Sequence, residues 1–373
     1  MVCVTLLSQP PGDRHVNSAK TTCTSSKRTD NANVVLHVSQ LELRIPTYEG
    51  TARILNGVNL TVSEKEVLGL VGETGSGKTM TALAVAGLIP SPPALISAEQ
   101  VSFRGENLLE MSNEELRQLR ARSIAMVFQD PTANLNPLLT IGEQMTDAAM
   151  CRMGHGSNLA LSPLGRWLPG FHRQRKQARE VALNMLDRVG IGDGEKRFKN
   201  HPHEFSGGMK QRALIAMALS GNPKLLIADE PTTALDVSIE AQILELVQEL
   251  VRELNLSVLW ITHNLSVVWK LCTQVAVMYS GAVVERSSTQ HLFRDPQHPY
   301  TIGLLKALPV GQKSETRLAS IPGTPPNPVD LPRGCRFHPR CPIAVTICND
   351  VEPKLINISP GHEVACHLVS PIG

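Results

Sequence analysis

The sequence predicts an α/β fold, because three short apolar runs each end at a chemically distinctive position. The runs cover residues 67–71, 224–228 and 257–262, which is strand length, and turn residues bound them. The first leads through a glycine-rich loop into a helix, the second ends in two carboxylates, and the third ends at a histidine. Strands that alternate with helical segments in this way indicate a sheet flanked by helices.

The loop after the first strand has the pattern of a phosphate-binding loop. Residues 72–79 read Gly-Glu-Thr-Gly-Ser-Gly-Lys-Thr. Glycines let the backbone approach phosphate oxygens, and the helix that begins near Lys78 directs its N–H groups at the same anion. Lys78 can reach the β- and γ-phosphates, and Thr79 can ligate Mg²⁺. A chance glycine loop is the alternative, but the order of strand, loop, Lys-Thr and helix favours the phosphate loop.

The second strand ends in a pair of carboxylates, Asp229 and Glu230. Asp229 suits holding Mg²⁺, usually through water, and Glu230 can orient and deprotonate an attacking water. Adjacent acids can also simply cap the next segment. With a phosphate loop upstream, the catalytic interpretation is the stronger one.

A second anion site is predicted at Ser206-Gly207-Gly208, which opens a helix over 209–219. Ser206 can cap that helix while the Gly-Gly backbone approaches an anion. One nucleotide needs a single phosphate loop, so this helix start is predicted to serve the nucleotide of a partner subunit. Dimerisation with ATP between the subunits is the expected consequence.

Together these motifs resemble the ATP-binding subunits of ABC transporters, over residues 36–290. Gln129 matches the family's glutamine loop, Asp236 the loop that crosses the dimer interface, and His263 the switch histidine beside the γ-phosphate. The resemblance implies Glu230, His263 and Lys78 as catalytic residues and Thr79, Gln129 and Asp229 as Mg²⁺ contacts. It implies nucleotide contacts from Gly72, Glu73, Thr74, Gly75, Ser76, Gly77, Lys78, Thr79, Met80, Gln129, Asp229, Ser206, Gly207, Gly208 and Asp236.

The sequence departs from the common family pattern at two places. Met209 stands where most members have Gln, a form associated with the oligopeptide and dipeptide branch. At the position of the aromatic residue that stacks on adenine the chain has Ile45, and Tyr48 lies three residues later. Two roles therefore remain open for Tyr48, stacking on the base or a place in a hairpin loop.

The resemblance implies an α/β fold, a P-loop ABC-type ATPase core with a mixed sheet flanked by helices, plus an antiparallel β subdomain. Residues 34–290 are predicted to form the ATP-binding domain, with an α-helical subdomain over about 133–222. Residues 1–33 are predicted to be a disordered tail, because they are polar and lack the apolar core of a secretory signal. An organelle transit peptide or a misassigned start are the alternatives.

Residues 291–373 are predicted to form a cysteine-containing extension like that of oligopeptide, dipeptide and nickel importers. The segment 295–309, Asp-Pro-Gln-His-Pro-Tyr-Thr-Ile-Gly-Leu-Leu-Lys-Ala-Leu-Pro, carries this resemblance. The cysteines at 335, 341, 348 and 366 lack the paired spacing of a zinc ribbon. Three interpretations stay open: a [4Fe–4S] cluster on Cys335, Cys341, Cys348 and Cys366, a zinc site with His338, His362 or His367, and packing alone.

Composition limits the function classes. The 36 basic and 34 acidic residues give a net charge of +2, which offers no electrostatic case for nucleic acid as a main partner. No run approaches 18 uninterrupted apolar residues, so a transport path must come from other subunits.

The expected function is therefore that of the ATP-hydrolysing subunit of an ABC importer for peptides, nickel chelates, opines or glutathione. The expected partners are a second ATP-binding subunit, related or identical, two membrane-spanning permease subunits and a separate solute-binding protein. The expected location is peripheral, at the cytoplasmic face of the inner membrane. The alternatives are a soluble ABC ATPase, a P-loop kinase or GTPase, and a metal or redox sensor based on the cysteines.

Overall fold

The computed structural model describes residues 33–153, 170–233, 235–308 and 320–372. Within them the chain forms two compact units. The first unit is Glu110–Leu259, and the second combines the residues up to Leu109 with those from Trp260 onward. The predicted N-terminal tail, apart from Asn33, lies outside the described residues.

Strands and helices alternate along the chain, as predicted for an α/β protein. The strands are β1 (Val34–Thr47), β2 (Gly50–Ser63), β3 (Val67–Val71), β4 (Leu95–Ser97), β5 (Gln100–Phe103), β6 (Glu106–Asn107), β7 (Ile124–Val127), β8 (Leu225–Asp229), β9 (Ser257–Thr262), β10 (Gln274–Tyr279), β11 (Ala282–Ser288), β12 (Ile356–Ser359) and β13 (His362–Val364). The helices are α1 (Lys78–Val85), α2 (Asn113–Arg122), α3 (Pro131–Asn134), α4 (Ile141–Arg152), α5 (Phe171–Arg188), α6 (Gly194–Arg197), α7 (Gly207–Leu219), α8 (Val237–Leu254), α9 (Leu265–Leu271), α10 (Thr289–Arg294), α11 (Pro299–Lys306) and α12 (Ile347–Asp350).

The second unit contains an antiparallel sheet in the order β2-β1-β5-β6, with β4 paired to β1. The apolar side chains of β1 alternate inward, except at Gln40, where a left-handed backbone (φ +51°) accompanies a bulge. That extra residue keeps Leu41 and Leu43 on the buried face. The sequence pattern predicts a strand over 34–43, but the ladder of β1 with β2 continues beyond the buried residues to the turn, where Thr47 pairs with Gly50.

The same unit contains a mixed sheet in which β3 and β10 are parallel and β10, β11, β13 and β12 follow in antiparallel order. The sequence pattern over 274–279 and 282–285 predicts a hairpin, and the structure confirms it as β10 and β11. Its turn residues Ser280 and Gly281 both have positive φ, as a tight hairpin turn requires. The C-terminal extension joins this sheet directly, because Glu285 of β11 pairs with Val364 of β13.

The first unit combines two parallel strands with a helical region. β7 and β8 pair in parallel, with Ile124 opposite Leu225. Helices α4, α5 and α7 pack against one another. Charged residues on one face and apolar residues on the other predict an amphipathic helix over 174–189, which the structure confirms as α5. Its buried residues include Phe171, Ala178 and Ala182, which recur at helical spacing on one face.

A buried polar cluster fastens the C-terminal extension to the hairpin of the second unit. Glu285 is fully buried, and its carboxylate contacts the His362 Nε2 at 2.8 Å. The same carboxylate accepts the N–H groups of Gln297 at 2.8 Å and His298 at 3.0 Å. The buried His362 ring, the buried His298 N–H and the partly buried Gln297 N–H therefore share Glu285 as their hydrogen-bond partner.

We expect Glu285→Leu to lower the free energy of unfolding by about 3–5 kcal/mol, because it removes the partner of the buried His362 ring, of the buried His298 N–H and of the partly buried Gln297 N–H. Denaturant unfolding measures this loss. The control is Glu363→Leu on the adjacent strand, which removes a half-exposed contact to Arg286 at 3.9 Å and should cost about 0–1 kcal/mol. Equal losses in the two variants would contradict the role of the buried cluster.

Candidate functional site

The predicted phosphate loop, residues 72–79, connects β3 to α1. Lys78 is only 5% exposed, and its Nζ donates to the carbonyl oxygens of Gly72 at 2.9 Å and Glu73 at 3.0 Å. The ammonium group is thus held within the loop by the loop's own backbone. The two carbonyl oxygens are neutral acceptors. A phosphate oxygen can take their place and form a stronger, charge-assisted hydrogen bond with Lys78.

Two glycines of this loop are required by close packing. A Cβ atom on Gly72 would lie 2.1 Å from the carbonyl oxygen of Met278. Gly77 has a φ of +104°, and a Cβ there would lie 2.9 Å from Leu55. The loop also accepts a hydrogen bond from the hairpin turn, where the Gly281 N–H contacts the Ser76 carbonyl at 2.9 Å. The loop therefore packs closely against the rest of the second unit, and its glycines permit the backbone conformation that this packing requires.

The C-terminal extension contacts the phosphate loop at Glu73, which the sequence did not predict. The Tyr300 hydroxyl accepts the Glu73 N–H at 2.8 Å. The Arg340 guanidinium donates to both carboxylate oxygens of Glu73, at 2.7 and 3.1 Å. These partners lie 227 and 267 residues away in sequence. Tyr300 belongs to the segment 295–309 that carried the resemblance, but no local pattern links it to Glu73.

The protonation states of this contact follow from burial and hydrogen bonding. The hydrogen bond to Glu73 raises the pKa of Arg340 above its usual range. Burial raises the pKa of the Tyr300 hydroxyl, so it stays protonated at neutral pH. Burial also lowers the pKa of His298 to about 3. The neutral His298 ring accepts the Tyr300 N–H on Nδ1 at 3.1 Å, which caps α11.

In the first unit, the structure brings together two of the predicted site residues. Gln129 follows β7, and its Nε2 donates to Glu230 Oε2 at 3.3 Å. The Thr233 hydroxyl donates to the same oxygen at 2.9 Å. Glu230 has a left-handed backbone (φ +46°), an uncommon conformation for a residue of this type and one that clusters at functional sites. Asp229, the last residue of β8, is 3% exposed.

The predicted signature forms the start of α7. The Ser206 hydroxyl accepts the Met209 N–H at 3.4 Å, so the predicted N-cap is confirmed. Ser206 and Gly207 are exposed, whereas Gly208 is buried. A Cβ on Gly208 would lie 2.7 Å from Ile239. The last glycine is therefore needed for helix packing, and the exposed pair Ser206-Gly207 is available to a ligand.

The remaining predicted site residues lie at exposed positions. His263 directly follows β9 and is exposed, and Asp236 is the exposed residue before α8. Tyr48 lies in the turn between β1 and β2 with a fully exposed side chain. Its place in the hairpin loop is thus established, while stacking on adenine stays a prediction.

The predicted metal site in the extension is not supported. Within the described residues, no group of three or more His, Cys, Asp or Glu is placed to hold a metal ion. Burial, with neighbouring Cys348 and Cys366, raises the pKa of Cys335 to about 11, so its thiol is protonated at neutral pH. None of Cys335, Cys341, Cys348 and Cys366 forms a disulfide.

The nearby histidines also have other roles. His338 Nδ1 contacts the Cys335 carbonyl at 2.8 Å, and His367 Nε2 contacts the Val351 carbonyl at 2.8 Å. His362 is engaged by Glu285. Of the three interpretations, packing agrees with the burial of Cys348, which is 5% exposed.

Comparison with known proteins identifies two family models along the chain. Residues 55–233 match the family "ABC transporter". Residues 284–348 match the "Oligopeptide/dipeptide transporter, C-terminal region". In the described part of the chain, no helix has the length and apolar character needed to cross a membrane.

Relatives match nearly the whole chain. The oligopeptide transport ATP-binding protein OppD of Salmonella typhimurium is 43% identical over 343 residues, covering 92% of this chain and 96% of the relative. The dipeptide transport ATP-binding protein DppD of Escherichia coli is 41% identical over 333 residues, covering 89% and 96%. The dimeric, post-hydrolysis structure of the ATP-binding cassette MJ0796 bound to ADP and Pi is 25% identical with a TM-score of 0.54, covering 68% of this chain and 98% of the cassette. The chain therefore belongs to the family of oligopeptide and dipeptide transport ATP-binding proteins, which are ABC-type ATPases.

Proposed function

We propose that this ATPase couples ATP binding and hydrolysis to the import of peptides across a membrane. The observation that carries the proposal is an intact phosphate loop, with Lys78 held inside it, in the same chain as a capped and exposed Ser206-Gly207 helix start. Peptides are favoured over nickel chelates, opines and glutathione because the relatives are named for oligopeptide and dipeptide transport.

The phosphate loop is proposed to bind the triphosphate. Backbone N–H groups of residues 72–80 and the N-terminus of α1 would face the phosphates, and Lys78 would exchange its carbonyl partners for phosphate oxygens. Thr79, Gln129 and Asp229 fit the oxygen-donor chemistry that Mg²⁺ prefers, since they supply a hydroxyl, an amide and a carboxylate. When bound, the ion neutralises phosphate charge.

Hydrolysis is proposed to depend on Glu230 and His263. Glu230 would accept a proton from the attacking water, and the hydrogen bonds that Gln129 and Thr233 donate to its Oε2 orient the carboxylate. His263 would position the γ-phosphate. Ser206, Gly207 and Asp236 would act on the nucleotide of a second ATPase subunit, related or identical.

The proposed setting is a peripheral subunit at the cytoplasmic face of the inner membrane. Two permease subunits would contact the surface near Gln129, where the Leu138 side chain is 83% exposed. A separate binding protein would deliver the solute. The proposed division of the chain into an ATP-binding domain over 34–290 and an extension over 291–373 rests on the sequence.

Reconstitution tests this function. The chain is assembled with its partner ATPase, the permease subunits and the binding protein in liposomes, and labelled peptide uptake is measured with and without MgATP. We expect uptake that requires ATP and the binding protein. ATP hydrolysis by a chain that neither associates with permease subunits nor supports uptake would instead favour a soluble ABC ATPase.

A further inference from the structure

We propose that the C-terminal extension is part of the nucleotide site. Arg340 neutralises Glu73 and, with Tyr300, holds the phosphate loop in the shape that binds MgATP. The inference rests on the proposed binding of ATP at this loop and goes beyond it. It makes Arg340 a positioning residue, although it lies 267 residues after its partner Glu73 in the sequence.

Every polar group of Glu73 is engaged. Its N–H donates to Tyr300, its carbonyl accepts from Lys78, and its carboxylate receives both terminal nitrogens of Arg340. A residue held at three points has little freedom to rotate, so the loop around it is ordered before any ligand arrives. Preorganisation of this kind lowers the entropic cost of binding.

Arg340 is itself held firmly. Its side chain is 4% exposed, and its Nε donates to the Pro322 carbonyl at 2.9 Å. The guanidinium lies 5.8 Å from the ring centre of Tyr279 and 6.0 Å from that of Phe337. The aromatic faces and the carbonyl fix the planar group, so that its fork faces the Glu73 carboxylate.

The charge of Glu73 gives this contact a functional consequence. A carboxylate within a phosphate-binding loop repels the triphosphate, and the repulsion is strong where water is partly excluded. The paired guanidinium cancels that charge. Without Arg340, the side chain of Glu73 remains as an uncompensated anion beside the predicted phosphate position.

The test is a double-mutant cycle on the assembled transporter, read out as the Kd for MgATP and as KM and kcat for ATP hydrolysis. We expect Arg340→Met to raise the Kd and KM for ATP by roughly tenfold, with a smaller effect on kcat. In a Glu73→Gln background, the same substitution should change the Kd by less than about twofold, because no carboxylate is left to neutralise. Arg340→Lys, which keeps the charge but not the fork, should lie between the wild type and Arg340→Met.

A second arginine of the same unit gives a control. Arg286 of β11 is a partly buried residue whose guanidinium donates to the Thr61 carbonyl of β2 at 3.2 Å, so its hydrogen bond is made outside the phosphate loop and the hairpin turn. Arg286→Met should lower thermal stability and leave the Kd for MgATP within about twofold of the wild type.

Four outcomes distinguish failure of this inference from failure of the proposed function. An unchanged Kd in Arg340→Met, or the same increase in Arg286→Met, overturns the inference. A tenfold loss in Arg340→Met that persists in the Glu73→Gln background also overturns it, since the effect would then not act through Glu73. Failure of the wild-type complex to bind MgATP would instead overturn the proposed function.

Discussion

Glu230→Gln is expected to lower ATP turnover by about 10²–10⁴-fold while ATP binding remains. The amide has nearly the same shape as the carboxylate, and its oxygen can still accept the hydrogen bond that Thr233 donates at 2.9 Å. The strained backbone of Glu230, with a φ of +46°, is also unchanged. The variant loses only the negative charge and the ability to take a proton from water.

The measurement is steady-state phosphate release by the assembled transporter, together with the Kd for MgATP. A variant that binds ATP without turning it over is expected to accumulate as a closed dimer, which size-exclusion chromatography of the ATPase subunits can detect. Glu240→Gln is the matched control, because the Glu240 carboxylate also accepts a threonine hydroxyl, that of Thr232, at 2.9 Å. Turnover in the control should stay within about twofold of the wild type. Rapid hydrolysis by Glu230→Gln would remove Glu230 as the proposed base.

Lys78→Met is expected to raise the Kd for MgATP by about 10²-fold, and turnover should fall with it. Each hydrogen bond from a charged donor contributes about 1.5–3 kcal/mol. Lys78 is proposed to make such bonds to phosphate oxygens in place of its bonds to the carbonyls of Gly72 and Glu73, at 2.9 and 3.0 Å. Methionine has a similar unbranched stem, so the packing of this 5% exposed side chain is largely kept. The change therefore reports on charge more than on fold.

Isothermal titration with MgATP measures the loss, and thermal unfolding without nucleotide verifies that the variant is folded. Lys65→Met is the control, since Lys65 is an exposed residue between β2 and β3 and lies outside the phosphate loop. Tight ATP binding by Lys78→Met would place the triphosphate elsewhere. The two lysine variants and Glu230→Gln together separate binding from chemistry.

Those parts of the site that depend on neighbouring residues in the chain were predictable. The loop from Gly72 to Thr79, the carboxylates after β8 and the serine cap of α7 each follow from a short pattern, because glycine conformation, strand ends and helix capping are local effects. The predicted ends of β1 and α5 were less accurate than these motifs. β1 continues along its partner strand beyond its last buried residue, Leu43, and α5 begins earlier, at Phe171, after a left-handed Gly170.

The role of the four cysteines in the C-terminal extension, in contrast, could not be predicted from local sequence. Four cysteines within a short segment left three interpretations open, an iron–sulfur cluster, a zinc site and packing alone, because spacing in sequence does not determine where thiols point or whether they ionise. The fold directs the nearby His362 towards Glu285, and burial keeps the Cys335 thiol protonated at neutral pH. Both effects come from the surroundings that the folded extension creates.

The order of the residues alone predicted the chemistry available to this chain. It indicated which residues can bind a phosphate, which can accept a proton, and which helix can contact a second nucleotide. Such groups act over a few residues and keep their chemistry in any fold that contains the motif. The joining of Arg340 and Tyr300 to Glu73, and of His362 to Glu285, came only from folding. Those contacts link residues that are 77 to 267 positions apart, and a charge or hydroxyl finds such a partner only when packing of the whole unit brings the two together.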